Sequence, residues 1–223
     1  MAPNEDWLVW QLADSAFPTG GFAHSGGLEA AWQHGEVRGG AELAGFIESS
    51  LTQLGHAALP FVTTAYLEPP RLAELDRLCD AFLSNHVANR ASRLQGQALL
   101  ATSERSFPSP ALKDLRTSIR SQSLPGHLAP LFGAITRLLG LSRESATRLF
   151  FFIHLRGFIS SAVRLNIIGP LEAQSLQHRL SATAENIAQR CAGISLGDIA
   201  QTSPLLDIFQ GAQDRLYSRL FQS

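Results

Sequence analysis

Apolar residues along this chain recur at helical spacing almost from end to end. Residues 41–54 place Leu43, Phe46, Ile47, Leu51 and Leu54 three and four apart, and residues 71–89 do the same with Leu72, Leu75, Leu78, Cys79, Phe82 and Leu83. A stripe of that period lays one face of a helix against a core. Similar spacing covers residues 4–14, 28–34, 61–67, 90–100, 112–119 and 127–139. No stretch shows the strict alternation of a half-buried strand, and no internal repeat is evident. The pattern predicts an all-α fold, a single-domain bundle of about ten helices spanning residues 1–223.

Starts and stops fall where the backbone chemistry demands them. Gly35, Gly39 and Gly40 end the helix that begins near Leu28, Gly55 closes the next, and Pro60 suits a first helical position. Pro69-Pro70 and Pro125-Gly126 break the chain again. Ser142, with Glu144 behind it, reads as an N-cap followed by a first-turn acid. The helix they open carries Leu149, Phe150, Phe151, Phe152, Ile153, Leu155, Phe158 and Ile159 around nearly its whole circumference, so it is expected to be the most buried. Its one polar strip is Arg156, Ser160 and Arg164. Gly169-Pro170 then stops one helix and starts another, residues 193–204 form a connection, and residues 205–221 read as a closing helix. Leu216, Tyr217, Leu220 and Phe221 crowd its last turns, and bulky groups there call for something to dock on.

Residues 14–29, Asp-Ser-Ala-Phe-Pro-Thr-Gly-Gly-Phe-Ala-His-Ser-Gly-Gly-Leu-Glu, interrupt the helical pattern. Pro18 fixes its own φ and turns Phe17 from the α region, while the paired glycines permit positive φ. Phe17 and Phe22 are large for a plain connector, so this turn, near residues 15–27, is expected to pack against something. It is not a phosphate cradle, because Leu28-Glu29 stands where a P-loop needs Lys and Ser/Thr. A hydrolase built on Ser25 and His24 stays open, although adjacent side chains rarely face each other.

Composition narrows the partners. Of 223 residues 45% are apolar and only 17% charged, below the usual quarter, so part of the surface calls for a cover. Eighteen basic against nineteen acidic residues leave a net charge of -1, with no field to draw nucleic acid or an anionic membrane. Charged residues interrupt the longest apolar block, which argues against a membrane span, and no secretory signal opens the chain. Cys79 and Cys191 have no C-x-x-C spacing, which fits a reduced cytoplasmic chain better than a disulfide or zinc framework.

Candidate chemistry is thin. The seven histidines include no H-x-H, H-x-x-x-H or H-E-x-x-H pair, so no metal site is predicted, although a nickel-binding chaperone remains an alternative. The carboxylates, Asp76 and Asp80 among them, read as solvated helix faces. No nucleophile, base and oxyanion set is identifiable, so no catalytic residue and no cofactor is assigned. Arg90, Arg93, Arg156 and Arg164 fall in helices that look buried, where they must be paired or face a polar cavity.

Phe17, Pro18, Gly20, Phe22, Ser25, Gly27, Leu28 and Glu29 spell F-P-x-G-x-F-x-x-S-x-G-L-E, which resembles the N-terminal signature of the UreF family of urease accessory proteins. Four more segments follow in the family's order: the R-x-S-x-x-Q-G helix from Arg90, the Gly126-His127 turn ending in Phe132-Gly133, the S-A-x-R-L stretch at Ser161–Leu165, and the C-terminal signature in residues 204–208 and 216–221. Gln213 and Gln222 depart from it, standing where the family often has His and Arg. The resemblance implies an all-helical, homodimeric, cytoplasmic protein that is not an enzyme. It implies binding to UreD (UreH in some organisms) and to the GTPase UreG, in an assembly that delivers nickel to apo-urease. By the same resemblance the partner-binding residues are Phe17, Pro18, Gly20, Phe22, His24, Ser25, Glu29, Arg164, Tyr217, Arg219, Leu220 and Phe221, with a small-residue face near Ser160 as a route for nickel.

Overall fold

Residues 129–136 of one helix are all buried, and the fold is arranged around them. A computed structural model describes residues 4–223, so the first three positions of the expected 1–223 domain lie outside the described residues. The described residues form an all-α bundle without strands: α1 (Glu5–Ala13), α2 (Leu28–Gln33), α3 (Gly40–Gln53), α4 (Leu59–Leu67), α5 (Leu72–Phe82), α6 (His86–Ser106), α7 (Pro110–Ser121), α8 (Leu128–Leu138), α9 (Arg143–Arg164), α10 (Pro170–Cys191) and α11 (Pro204–Ala212). None is long and apolar enough to cross a membrane.

The central helix is α8, enclosed by α4, α5, α6, α7 and α9. Two glycines let backbones meet there. A Cβ at Gly133 would collide with the Val62 carbonyl of α4, and one at Gly96 with the Gly126 carbonyl that precedes α8. Helices that cross this closely gain dispersion contacts over their whole interface. A buried carboxylate fixes where α8 begins: Asp76 accepts hydrogen bonds from the amides of Gly126 (2.9 Å) and His127 (2.7 Å). The His127 ring, fully enclosed, lies 3.0 Å from Asp80 and 3.1 Å from the Ser92 hydroxyl. Asp76 is therefore not on a solvated face as its sequence spacing suggested, but is turned inward to satisfy amides with no other partner.

The helix expected to be most buried, α9, is not. It packs on α10 and α3, yet Phe152 is 38% exposed, and Ser160 and Arg164 are exposed too. Phe152, Arg156, Ser160 and Arg164, four apart, make one outward stripe that includes the polar strip read from the sequence. Its N-cap holds, with the Ser142 hydroxyl accepting from the Ser145 amide at 3.1 Å.

Two breaks move from their expected places. Gly55 does not end α3, because the chain runs on through a π turn (Leu54–Ala58) into α4. That glycine makes room instead, since a Cβ there would strike the Cys191 sulfur of α10. The helix expected over 71–89 stops at Phe82, and α6 starts at His86 because the Asn85 side chain caps the amides of Val87 (3.0 Å) and Ala88 (3.3 Å).

Candidate functional site where the turn meets the tail

Gly20, Gly26 and Gly27 all take positive φ, at 75°, 62° and 89°. At the second pair space matters as much as conformation: a Cβ on Gly26 would enter the Phe158 ring of α9, and one on Gly27 would strike the Gln210 backbone of α11. The turn is thus pressed between α9 and α11, and α2 begins directly beyond it.

The closing helix is shorter than its sequence suggests. It ends at Ala212, a 3-10 turn (Gln213–Arg215) follows, and residues 216–223 leave helical geometry altogether. Glu29, only 2% exposed in the first turn of α2, is the cause. Its carboxylate accepts from the amides of Leu220 (2.6 Å) and Phe221 (3.1 Å) and from Gln213 Nε2 (2.6 Å). Those amides are taken by an acceptor from the other end of the chain, so the helix that would have used them does not form. The Gln222 amide donates to the Ala23 carbonyl at 2.8 Å, and the Ser25 amide to the Ser223 carbonyl. The bulky tail therefore docks, but on the chain's own opening turn.

Arginines of α9 hold both ends down. The Arg156 guanidinium donates to the Ala13 carbonyl and lies 5.9 Å from the Phe152 ring centre. Arg164 donates to the Phe22 carbonyl and sits 4.2 Å over the Phe221 ring. Arg90 is paired with Asp214 at 2.8 Å, and Arg219 and His86 reach the same carboxylate at 3.1 and 3.3 Å. The Arg90 hydrogen bond, foremost, holds Asp214 below the usual carboxylate range. Arg90 and Arg93 are surface residues, not buried ones as their helix suggested.

Of the residues singled out from sequence, the structure gathers Phe22, His24, Ser25, Glu29, Arg164, Leu220 and Phe221 into this junction, with Tyr217 and Arg219 beside it. Phe221 is buried as its plug, while Phe22 is 71% exposed, Leu220 52% and Tyr217 fully so. Phe17 and Pro18 lie apart: Phe17 stacks on Phe107 with ring centres 6.1 Å apart, and the Pro18 carbonyl accepts from Thr102 at 2.9 Å. Sequence reasoning missed Asp214 and Ser223, and marked Gln213 only as a departure from the family's pattern. Gln213 is completely buried, and its partner Glu29 is 184 positions away, so no local signal marked that pairing.

The polar side chains of the junction are turned toward its own two halves. Ser25 is 2% exposed with its hydroxyl facing the Glu29 amide at 3.4 Å, and the His24 ring turns to the Ser223 hydroxyl instead. Burial, then the Arg90 charge, lowers the His24 pKa, so this imidazole is neutral at pH 7. Among the described residues no group of three or more His, Cys, Asp or Glu side chains could hold a metal ion. Both cysteines are buried free thiols whose pKa burial raises.

Fold and junction together define an all-helical protein whose glycine-rich turn and C-terminal tail are clamped together, with Phe22, Tyr217 and Leu220 exposed. The UreF family model matches residues 37–181. Over 219 residues the chain is 43% identical to "Urease accessory protein F" of Oryza sativa subsp. indica, covering 96% of this chain and 84% of the relative. It is 41% identical to the protein of that name from Arabidopsis thaliana, over 97% and 92% of the two chains. "Urease accessory protein UreF" of Mycobacterium tuberculosis is 31% identical, over 97% and 98%. The chain belongs to the UreF family of urease accessory proteins. The junction's turn and tail fall outside the span matched by the family model, but the alignments with these relatives run over nearly the whole chain.

Proposed function

We propose that this chain is a cytoplasmic scaffold of urease maturation. It binds a UreD (UreH) homologue and the GTPase UreG, regulates that GTPase, and acts as a homodimer in the assembly that inserts nickel into apo-urease. Family membership supports the reading, and one observation carries it: the turn and the tail are hydrogen-bonded to each other while Phe22, Tyr217 and Leu220 are left in solvent. Three large exposed side chains beside a buried clamp are costly to leave uncovered, and aromatic groups such as Tyr217 are common anchors of protein interfaces. The order of the clamp matters as well, because a preformed surface spares a partner the entropy of arranging it. Catalysis and metal chemistry then belong to the partners, and Ser25 and His24 serve the clamp.

The test is reconstitution. The purified chain, mixed with a UreD homologue, elutes with it as one complex, and UreG joins that complex. A chain that elutes alone from both, under conditions where other UreF proteins bind, removes the proposal.

A further inference from the structure

Beneath the turn, between α3, α4, α5, α6, α8, α9 and α11, lies a cavity of about 210 Å³. An apolar cavity of about 150 Å³ is enough to hold benzene, so a single-ring molecule fits. Its walls are mainly aromatic and aliphatic, with Phe61, Phe82, Phe150, Phe158, Leu54 and Leu128 among them. The π turn between α3 and α4 contributes Leu54, Ala57 and Ala58 to the lining, and π turns inside helices occur preferentially where a site is built.

The polar groups on the wall decide the class of ligand. Ser50 Oγ and His154 Nε2 satisfy each other at 2.8 Å, and Gln53 Oε1 accepts from the Ser203 amide at 2.9 Å. Gln201 Oε1 is buried with no hydrogen-bond partner. A buried acceptor left unmade costs free energy that a donor from a ligand would recover. Neither Lys nor Arg lines the cavity, so an anion finds no counter-charge. Its one acid is Asp207, whose carboxyl burial pushes up, and burial holds His154 neutral.

We propose that this cavity binds a small neutral ring compound with one hydrogen-bond donor, a phenol-class ligand whose hydroxyl donates to Gln201 Oε1. The shape selects the ring and the orphan acceptor selects the donor. A site built around a hydrogen bond discriminates against the analogue that lacks it.

Phenol and benzene, titrated into the full chain and followed by ligand-observed NMR, test this. Phenol binds saturably below about 10 mM, and benzene binds about fivefold more weakly or worse, the worth of one net hydrogen bond. Gln201→Leu brings the two affinities together. Ala57→Phe, which fills the cavity, abolishes both, and Ala91→Met serves the same purpose should that variant fail to fold. Absence of saturable phenol binding to the unaltered chain overturns the proposal. So does equal affinity for benzene, or binding that persists in a folded variant with the cavity filled.

Discussion

Replacing Glu29 with alanine removes the acceptor on which three donors converge, the amides of Leu220 and Phe221 and the side chain of Gln213. A hydrogen bond to a charged group is worth about 1.5–3 kcal/mol, so the three supply on the order of 6 kcal/mol before costs. Taking the carboxylate out of water consumes several kcal/mol of that, which leaves on the order of 3 kcal/mol holding the tail in place. No arginine or lysine neutralises this carboxylate directly, so the loss is one of hydrogen bonds and not of an ion pair. Three kcal/mol is about a hundredfold in an opening equilibrium. Amide hydrogen exchange reads that quantity residue by residue. In Glu29→Ala the Leu220 and Phe221 amides exchange about a hundredfold faster, while amides of α8 keep their protection, because the tail detaches without unfolding the bundle. Glu29→Gln falls between, since one acceptor oxygen remains and the new NH₂ opposes the donors. Unchanged protection at Leu220 and Phe221 in Glu29→Ala refutes the clamp. Loss of protection in the tail and in α8 together refutes its independence from the core.

Further outcomes follow from the packing and the buried groups. Gly96→Ala and Gly133→Ala each drive a methyl into a carbonyl oxygen of a neighbouring backbone and lower stability by about 3 kcal/mol or more, measured by urea denaturation. Gly157→Ala, in α9 with open space around its Cβ position, stabilises by up to about 1 kcal/mol in the same assay. Burial depresses the His154 pKa from 6.5 to about 4. The unfolded chain therefore takes up the proton first, and stability contributed by the neutral ring is complete above pH 6.5 and falls between 6.5 and 4, by up to about 3 kcal/mol. Denaturation midpoints across that window decline, and His154→Gln makes the decline shallower.

Much of the fold was legible because helical packing writes a local period. The N-cap at Ser142, the start of α10 at Pro170 and the stripes of α3 and α5 all rest on residues within a turn or two of each other, whereas α9 stops at Arg164, ahead of the expected Gly169. What was not legible depends on distant neighbours. Gly55 looks like a helix stop, but its missing Cβ is filled by Cys191, 136 positions on. The apolar residues of α9 cannot reveal that Phe152 faces solvent while α8 lies at the centre, because burial is set by which helices surround it. The tail is the clearest case. Residues 216–221 have the spacing of a helix, yet Glu29 captures two of the amides that helix needs. The sequence picked out Phe22, Ser25, Glu29, Arg164 and Phe221 only as separate motif positions. Their meeting at one junction, and the partition into a buried clamp and an outward surface, exists only in three dimensions.

Changing Phe22, Tyr217 and Leu220 together to alanine tests the central claim most directly, because all three side chains are exposed and the clamp uses only backbone groups of Phe22 and Leu220. The triple variant is measured for its affinity to the UreD homologue and for UreG recruitment, with its denaturation midpoint as the control. The account predicts an unchanged midpoint and at least a tenfold loss of affinity for one of the two, about 1.4 kcal/mol or more. Full affinity for both partners in a normally folded variant would contradict it.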